Sequence, residues 1–241
     1  MRAYWQDSRK PRYSLLLALP LFIIYQVLEA LTTRAGGGGG VRNGADVILE
    51  SLFYRLAGPR GPIILAAILV GVGLWLVIRD YRRNGRSLHF PVLLVMLGEA
   101  TVLALGFGII VSTITSQLVR PTAMLQQSVE QMPAATKVML AFGAGVYEEL
   151  LFRVLLVGTI AWAGKRLLGL RPLVAGIWAA LIGALVFSAF HYVGPYGDTL
   201  TAYSFVFRTI AGLALSALFL LRGFGITAWT HALYDAFLLL R

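Results

Sequence analysis

The chain contains no cysteine. That absence removes disulfides, a thiolate nucleophile and any Cys-ligated metal, so whatever chemistry it performs must use oxygen and nitrogen groups. Charge is also scarce, at 13% of residues, where an ordinary soluble domain carries about a quarter. With 58% hydrophobic residues among 241 and a mean hydropathy of +0.77, the sequence lacks the polar side chains needed to cover a water-facing surface. A single integral membrane domain over residues 1–241 is the simplest organisation.

The little charge there is has one dominant sign, with 21 Lys+Arg against 11 Asp+Glu. Position decides what this means. Arg2, Arg9, Lys10 and Arg12 precede the first apolar run, Arg79, Arg82, Arg83 and Arg86 follow the second, and Lys165, Arg166 and Arg171 lie between two later runs. Clusters at the ends of apolar segments are those of loops on the cytoplasmic side, so nucleic acid is not an expected partner. If the spans alternate, all three clusters share one side, and the N-terminus is expected to be cytoplasmic.

Seven segments are long and apolar enough for a hydrocarbon core of about 30 Å, at approximately 13–33, 61–78, 90–116, 138–163, 172–192, 203–221 and 223–240. Lipid offers no hydrogen-bond partner to the backbone, so each is read as a helix. The expected fold is all-α, a polytopic membrane helical bundle of about seven transmembrane helices, or eight if one span is missed. The first run, too long for a signal peptide and without a cleavage pattern, is read as a retained span. Residues 34–60 read as a linker around the five glycines Gly36 to Gly40, followed by a short interfacial amphipathic helix with Val47, Ile48, Leu52, Phe53 and Leu56 at helical spacing. No internal repeat is evident.

Ionisable residues inside a span are costly and are read as site candidates by default. They are Glu29, Glu99, Glu148, Glu149, Arg153, Arg208, His231 and Asp235, with His191 at the end of a run. In Tyr147-Glu148-Glu149-Leu150-Leu151-Phe152-Arg153, residues Glu149 and Arg153 are one turn apart and can pair. Glu148 would point about 100° away from Glu149 on an α-helix, leaving its carboxylate free to face a cavity. Taken alone, this segment is equally a structural bridge with a spare acid. Two histidines and an unpaired glutamate on three different spans are less ordinary. Together they supply a base for water and imidazoles able to donate hydrogen bonds or ligate a metal.

Three motifs, Glu148-Glu149-x-x-x-Arg153, Phe187-x-x-x-His191 and His231-x-x-x-Asp235, resemble those of the intramembrane endopeptidases that include the type-two CAAX prenyl protease and bacterial relatives linked to bacteriocin processing and immunity. The resemblance implies catalytic helices over 137–241, with Glu148 and His191 activating water and His231 and Asp235 stabilising an oxyanion. It gives Glu149, Arg153 and Phe187 supporting roles. Many relatives carry asparagine where this chain has Asp235. An ionised aspartate would repel an oxyanion, so Asp235 must be protonated, ligate a metal or orient His231. A divalent metal such as zinc, held by Glu148, His191, His231 and Asp235, is compatible with these side chains, and a metal-free account is equally so.

The implied partner is a membrane-associated peptide or protein, prenylated or not, and the implied location is a bacterial inner membrane. Two other readings use the same residues: a transporter or proton relay, which predicts repeated halves, and a non-catalytic immunity or scaffold protein of the same fold. His89 reads as an ordinary interfacial side chain. Arg208 is expected to pair with Glu29, Glu99 or Asp235. Oligomeric state is left open.

Overall fold

The computed structural model describes residues 2–35, 41–85, 88–121, 131–194 and 197–240. The Gly36–Gly40 linker and Arg86 lie outside the described residues. Helices follow one another as α1 (Arg2–Ser8), α2 (Pro11–Ala35), α3 (Gly44–Ala57), α4 (Gly61–Asn84), α5 (Phe90–Leu118), α6 (Ala134–Gly143), a π-helical segment (Ala144–Val157), α7 (Gly158–Arg166), α8 (Pro172–Phe190), α9 (Ala202–Arg222) and α10 (Phe224–Leu239). No strand occurs among the described residues.

Local chemistry sets the boundaries. Proline stands in the first turn of α4, α5 and α8, where its fixed φ suits helix entry and its missing N–H is no loss. Thr201 and Ser204 close a capping box at the start of α9. Gly223, at φ 82°, turns the chain between α9 and α10, a conformation that a side chain would strain.

Each of the seven apolar runs is helical, and among the described residues five helical stretches are long and apolar enough to cross a membrane: Pro11–Arg34, Gly44–Asn84, Phe90–Leu118, Pro172–Phe190 and Ala202–Arg222. The two runs outside that set carry most of the candidate site. One is the α6–π–α7 rod, interrupted by Glu148, Glu149 and Arg153. The other is α10, whose 16 residues reach about 24 Å at 1.5 Å each. A site needs polar groups inside the bundle, and those same groups lower the apolarity by which a span is recognised.

Helix α10 lies at the centre, against α2, α5, α6, α9 and the π-helical segment. Small residues permit the approach. A Cβ on Gly145 would come within 2.5 Å of the Ala228 carbonyl oxygen and 2.6 Å of the Ala232 methyl, and close contact of this kind drives helix association in lipid.

At the basic end, Arg12 Nε stands 3.1 Å from Asp80 Oδ2 with both side chains buried. Glu99 receives Arg222 in two hydrogen bonds of 2.7 Å each and also accepts from the Tyr4 hydroxyl. Ser14 Oγ accepts from Gly225 N. These contacts gather the start of α2 and the end of α4 with the turn between α9 and α10, as alternating spans require. Helix α3 turns Val47, Ile48, Leu52 and Leu56 outward and buries Ala45, Asp46 and Leu49.

Candidate active site

Glu148, Glu149 and Arg153 all lie on the π-helical segment. A π-helix closes hydrogen bonds from i to i+5 and is usually a single-turn bulge, often at functional sites; here it runs for 14 residues. Its wider turn rotates the chain by less than the 100° per residue of an α-helix. The expected divergence of Glu148 from Glu149 is reduced accordingly, and each carboxylate meets a different histidine. Glu148 Oε2 is 4.0 Å from His191 Nε2. Glu149 Oε1 is 2.7 Å from His231 Nδ1. Arg153 Nε remains 3.1 Å from Glu149 Oε2, so the one-turn pair expected from the sequence is present.

His191 caps the C-terminus of α8, where helical carbonyls lack intrahelical donors. Its Nδ1 lies 2.8 Å from the Phe187 carbonyl oxygen. A carbonyl only accepts, so the proton sits on Nδ1, and in the neutral ring Nε2 is a lone-pair acceptor. That acceptor faces Glu148. Phe187 connects the parts, meeting His191 edge-on at 4.8 Å and His231 at 6.1 Å, with the Arg153 guanidinium 4.3 Å from its centroid. The buried arginine thus faces a carboxylate and a ring, and none of its side-chain nitrogens has a hydrogen bond of good geometry.

On α10, His231 Nε2 is 3.5 Å from Asp235 Oδ2, too long for a firm hydrogen bond. His231 is therefore flanked by two carboxylates and is held by Glu149. Glu148, His191, His231 and Asp235 line a single cavity of about 490 Å³, whose apolar wall includes Phe107 of α5 and Phe207 of α9. Glu148 and His231 are almost fully buried, while the His191 and Asp235 side chains are each 24% exposed. The cavity is sheltered but open to a substrate.

The donor set would suit zinc in kind, yet among the described residues no group of three His, Asp or Glu side chains is gathered as a metal-ligand set. Each histidine already commits Nδ1 to the protein, and Glu148 commits Oε1 to Asn43 at 2.9 Å. Both histidines keep Nε2, the nitrogen a ligating histidine can use while the protein holds Nδ1, and no step below uses a metal.

Arg208 also lines the cavity, but it pairs with Asp198 and donates to the Tyr192 hydroxyl at 3.0 Å. This corrects the expectation of Glu29, Glu99 or Asp235 as its partner. Asp198 lies in the loop after α8, and its backbone N–H donates to the His191 carbonyl, a return that helical periodicity cannot reveal. Glu99 instead serves Arg222, and Glu29 stands 3.7 Å from Arg42. The His89 backbone N–H donates to the Tyr13 hydroxyl at 2.9 Å, and the residue lies outside the cavity. The sequence reading missed Asn43. Its only local signal is a capping residue ahead of α3, which says nothing of a contact 105 positions away.

Residues 130–237 match the family model described as type II CAAX prenyl endopeptidase Rce1-like, the family that the three motifs resemble. No curated protein and no solved structure matches the chain. The match covers 108 of 241 residues in the C-terminal part, short of half the chain.

Proposed function

We propose that the chain hydrolyses a peptide bond in a membrane-associated peptide or protein, using water activated by Glu148 and His191. The observation that carries this reading is convergence: residues from the π-helical segment, α8 and α10, about 90 positions apart in sequence, line one cavity. Glu148 Oε2 is buried without a hydrogen-bond partner among the described residues and stands 4.0 Å from the His191 Nε2 acceptor, so one water can reach both.

In the proposed reaction Glu148 takes a proton as the water oxygen attacks the scissile carbonyl, and His191 shares that water's second proton. Adding oxygen turns the carbonyl into an oxyanion, which the Nε2–H of His231 meets. Glu149 holds the opposite nitrogen and favours the charged imidazole. Collapse expels the amine, protonated by the acid that Glu148 has become. Asp235 serves as a protonated neighbour of the oxyanion, because Glu149 already fills the orienting role at His231. Such general acid–base transfer contributes typically about 10² to 10⁴ in rate.

On the positive-inside rule we place the N-terminus, the end of α4 and the α7–α8 turn on the cytoplasmic side of a bacterial inner membrane, with about seven spans, or eight if one is missed. His191 and the start of α3 then sit toward the opposite side. A thiol introduced at Leu168, clean because the chain has no other, should be labelled only by reagents that enter the cell. Labelling by an impermeant reagent would invert the topology and the side of access.

The reading is tested by comparing protein termini in membranes that hold the wild type or Glu148→Gln. New termini confined to the wild type support it and identify the substrate. Identical sets of termini, with both proteins folded and equally abundant, would overturn it.

A further inference from the structure

The N-cap of α3 lies far outside residues 130–237, yet it touches the proposed base. Asn43 Oδ1 accepts from the backbone N–H of Ala45 at 3.0 Å and of Asp46 at 3.4 Å. Backbone N–H groups only donate, so this oxygen is fixed and the amide NH₂ must point the other way. It points to Glu148 Oε1, 2.9 Å away, with both residues buried. An NH₂ group only donates, so Oε1 must accept, and the contact favours a proton of Glu148 on the other oxygen. The other oxygen, Oε2, is left without a partner on the side of His191.

The start of α3 is held closely enough to enforce this. Tyr25 donates to Asp46 at 2.6 Å, and Arg42 pairs with both Asp46 and Glu50. Gly143 makes the approach possible: a Cβ there would lie 2.5 Å from the Tyr25 ring and 2.9 Å from Asn43 Cβ. A Cβ on Gly44 would meet the Phe190 ring at 3.1 Å. The cap is wedged between the π-bearing rod and the end of α8.

We infer that Asn43 is a positioning residue for Glu148: it occupies Oε1 and leaves Oε2, on the His191 side, as the oxygen that takes the proton of water. The inference rests on Glu148 being the base. The segment ahead of the matched region therefore completes the site, and the cap that starts α3 also determines which oxygen of the carboxylate reacts.

Asp and Ser cap helices about as well as Asn, so Asn43→Asp and Asn43→Ser both keep α3 started; Asn43→Ser removes the donor to Oε1, while Asn43→Asp makes Glu148 share one proton with a second carboxyl. The probe is an internally quenched peptide ending in a prenylated CAAX sequence, cleaved by the purified full chain in detergent. Both variants should lose about 100-fold in kcat, the scale of a misplaced reacting group, with KM within about twofold and the melting temperature retained. Wild-type kcat in both variants would overturn the inference, as would a loss that follows a fall in melting temperature, since that is a cap's structural role.

A second readout needs no substrate. In Asn43→Asp two carboxyl groups face each other at hydrogen-bond distance, where both cannot ionise. The infrared spectrum at neutral pH should then gain a protonated-carboxyl band that disappears when Glu148→Gln is added. Absence of that band would refute the contact even if the wild type cleaved no peptide, an outcome that by itself would count against the proposed function alone.

Discussion

Two of the embedded charge clusters among the described residues are finished to different degrees. At the basic end, Glu99 uses both oxygens on Arg222, whose guanidinium lies 4.0 Å from the Trp5 ring centroid. In the cavity, Glu148 has one oxygen occupied and one open, and His231 stands between two carboxylates with only Glu149 at firm hydrogen-bond distance. A carboxylate with both oxygens taken, as Glu99 has, offers no open acceptor to a substrate, although Arg222 Nη1 beside it is buried without a hydrogen-bond partner among the described residues. An incompletely paired carboxylate, in a cavity where burial makes an open acceptor costly, is poised for a ligand or a water. The comparison teaches where to look for chemistry: the open oxygen of Glu148, set against the fully used carboxylate of Glu99, separates the two.

The comparison breaks most visibly at Glu148. Replacing it with Gln, or His191 with Ala, should lower the peptide-cleavage rate by about 10² to 10⁴, with the melting temperature in detergent held within a few degrees. Arg153→Ala should act on stability, because it leaves Glu149 buried beside His231 without its cation. A loss of about 3–5 kcal/mol is expected from other broken buried pairs, and equal thermal melting of variant and wild type would argue against it. Arg222→Ala should cost less, about 1–3 kcal/mol, since the Glu99 side chain is 26% exposed and its case lies between buried and surface pairs. Cleavage per folded molecule should be unchanged. Asp235→Asn should have the smallest effect, within about tenfold in kcat/KM, or roughly 1.4 kcal/mol, because the amide can donate where a protonated carboxyl did. Turnover of peptide by that variant, corrected for its folded fraction, checks this.

Much of the helical content was legible in the sequence because lipid permits only one backbone solution to a long apolar run. The motif residues were legible because ionisable groups are rare in such runs, so Glu148, His191, His231 and Asp235 stand out without any knowledge of the fold. Other features were hidden for identifiable reasons. The π-helical segment has the same side-chain types as an α-helix, and only the hydrogen-bond register distinguishes them. Glu149 reads as the structural partner of Arg153, which it is, while its second oxygen serves His231 across 82 positions. Asn43 and the Arg208–Asp198 pair depend on loops returning to the bundle, and no helical period encodes that return.

One measurement tests the central claim most directly: cleavage of the quenched prenylated peptide by purified Glu148→Gln and Arg222→Ala, each set against its own melting temperature. The account predicts that Glu148→Gln melts like the wild type and turns over at least about 100-fold more slowly, while Arg222→Ala melts earlier and cleaves at the wild-type rate per folded molecule. Wild-type turnover by a folded Glu148→Gln would contradict it, because Glu148 would then not be the base that activates water.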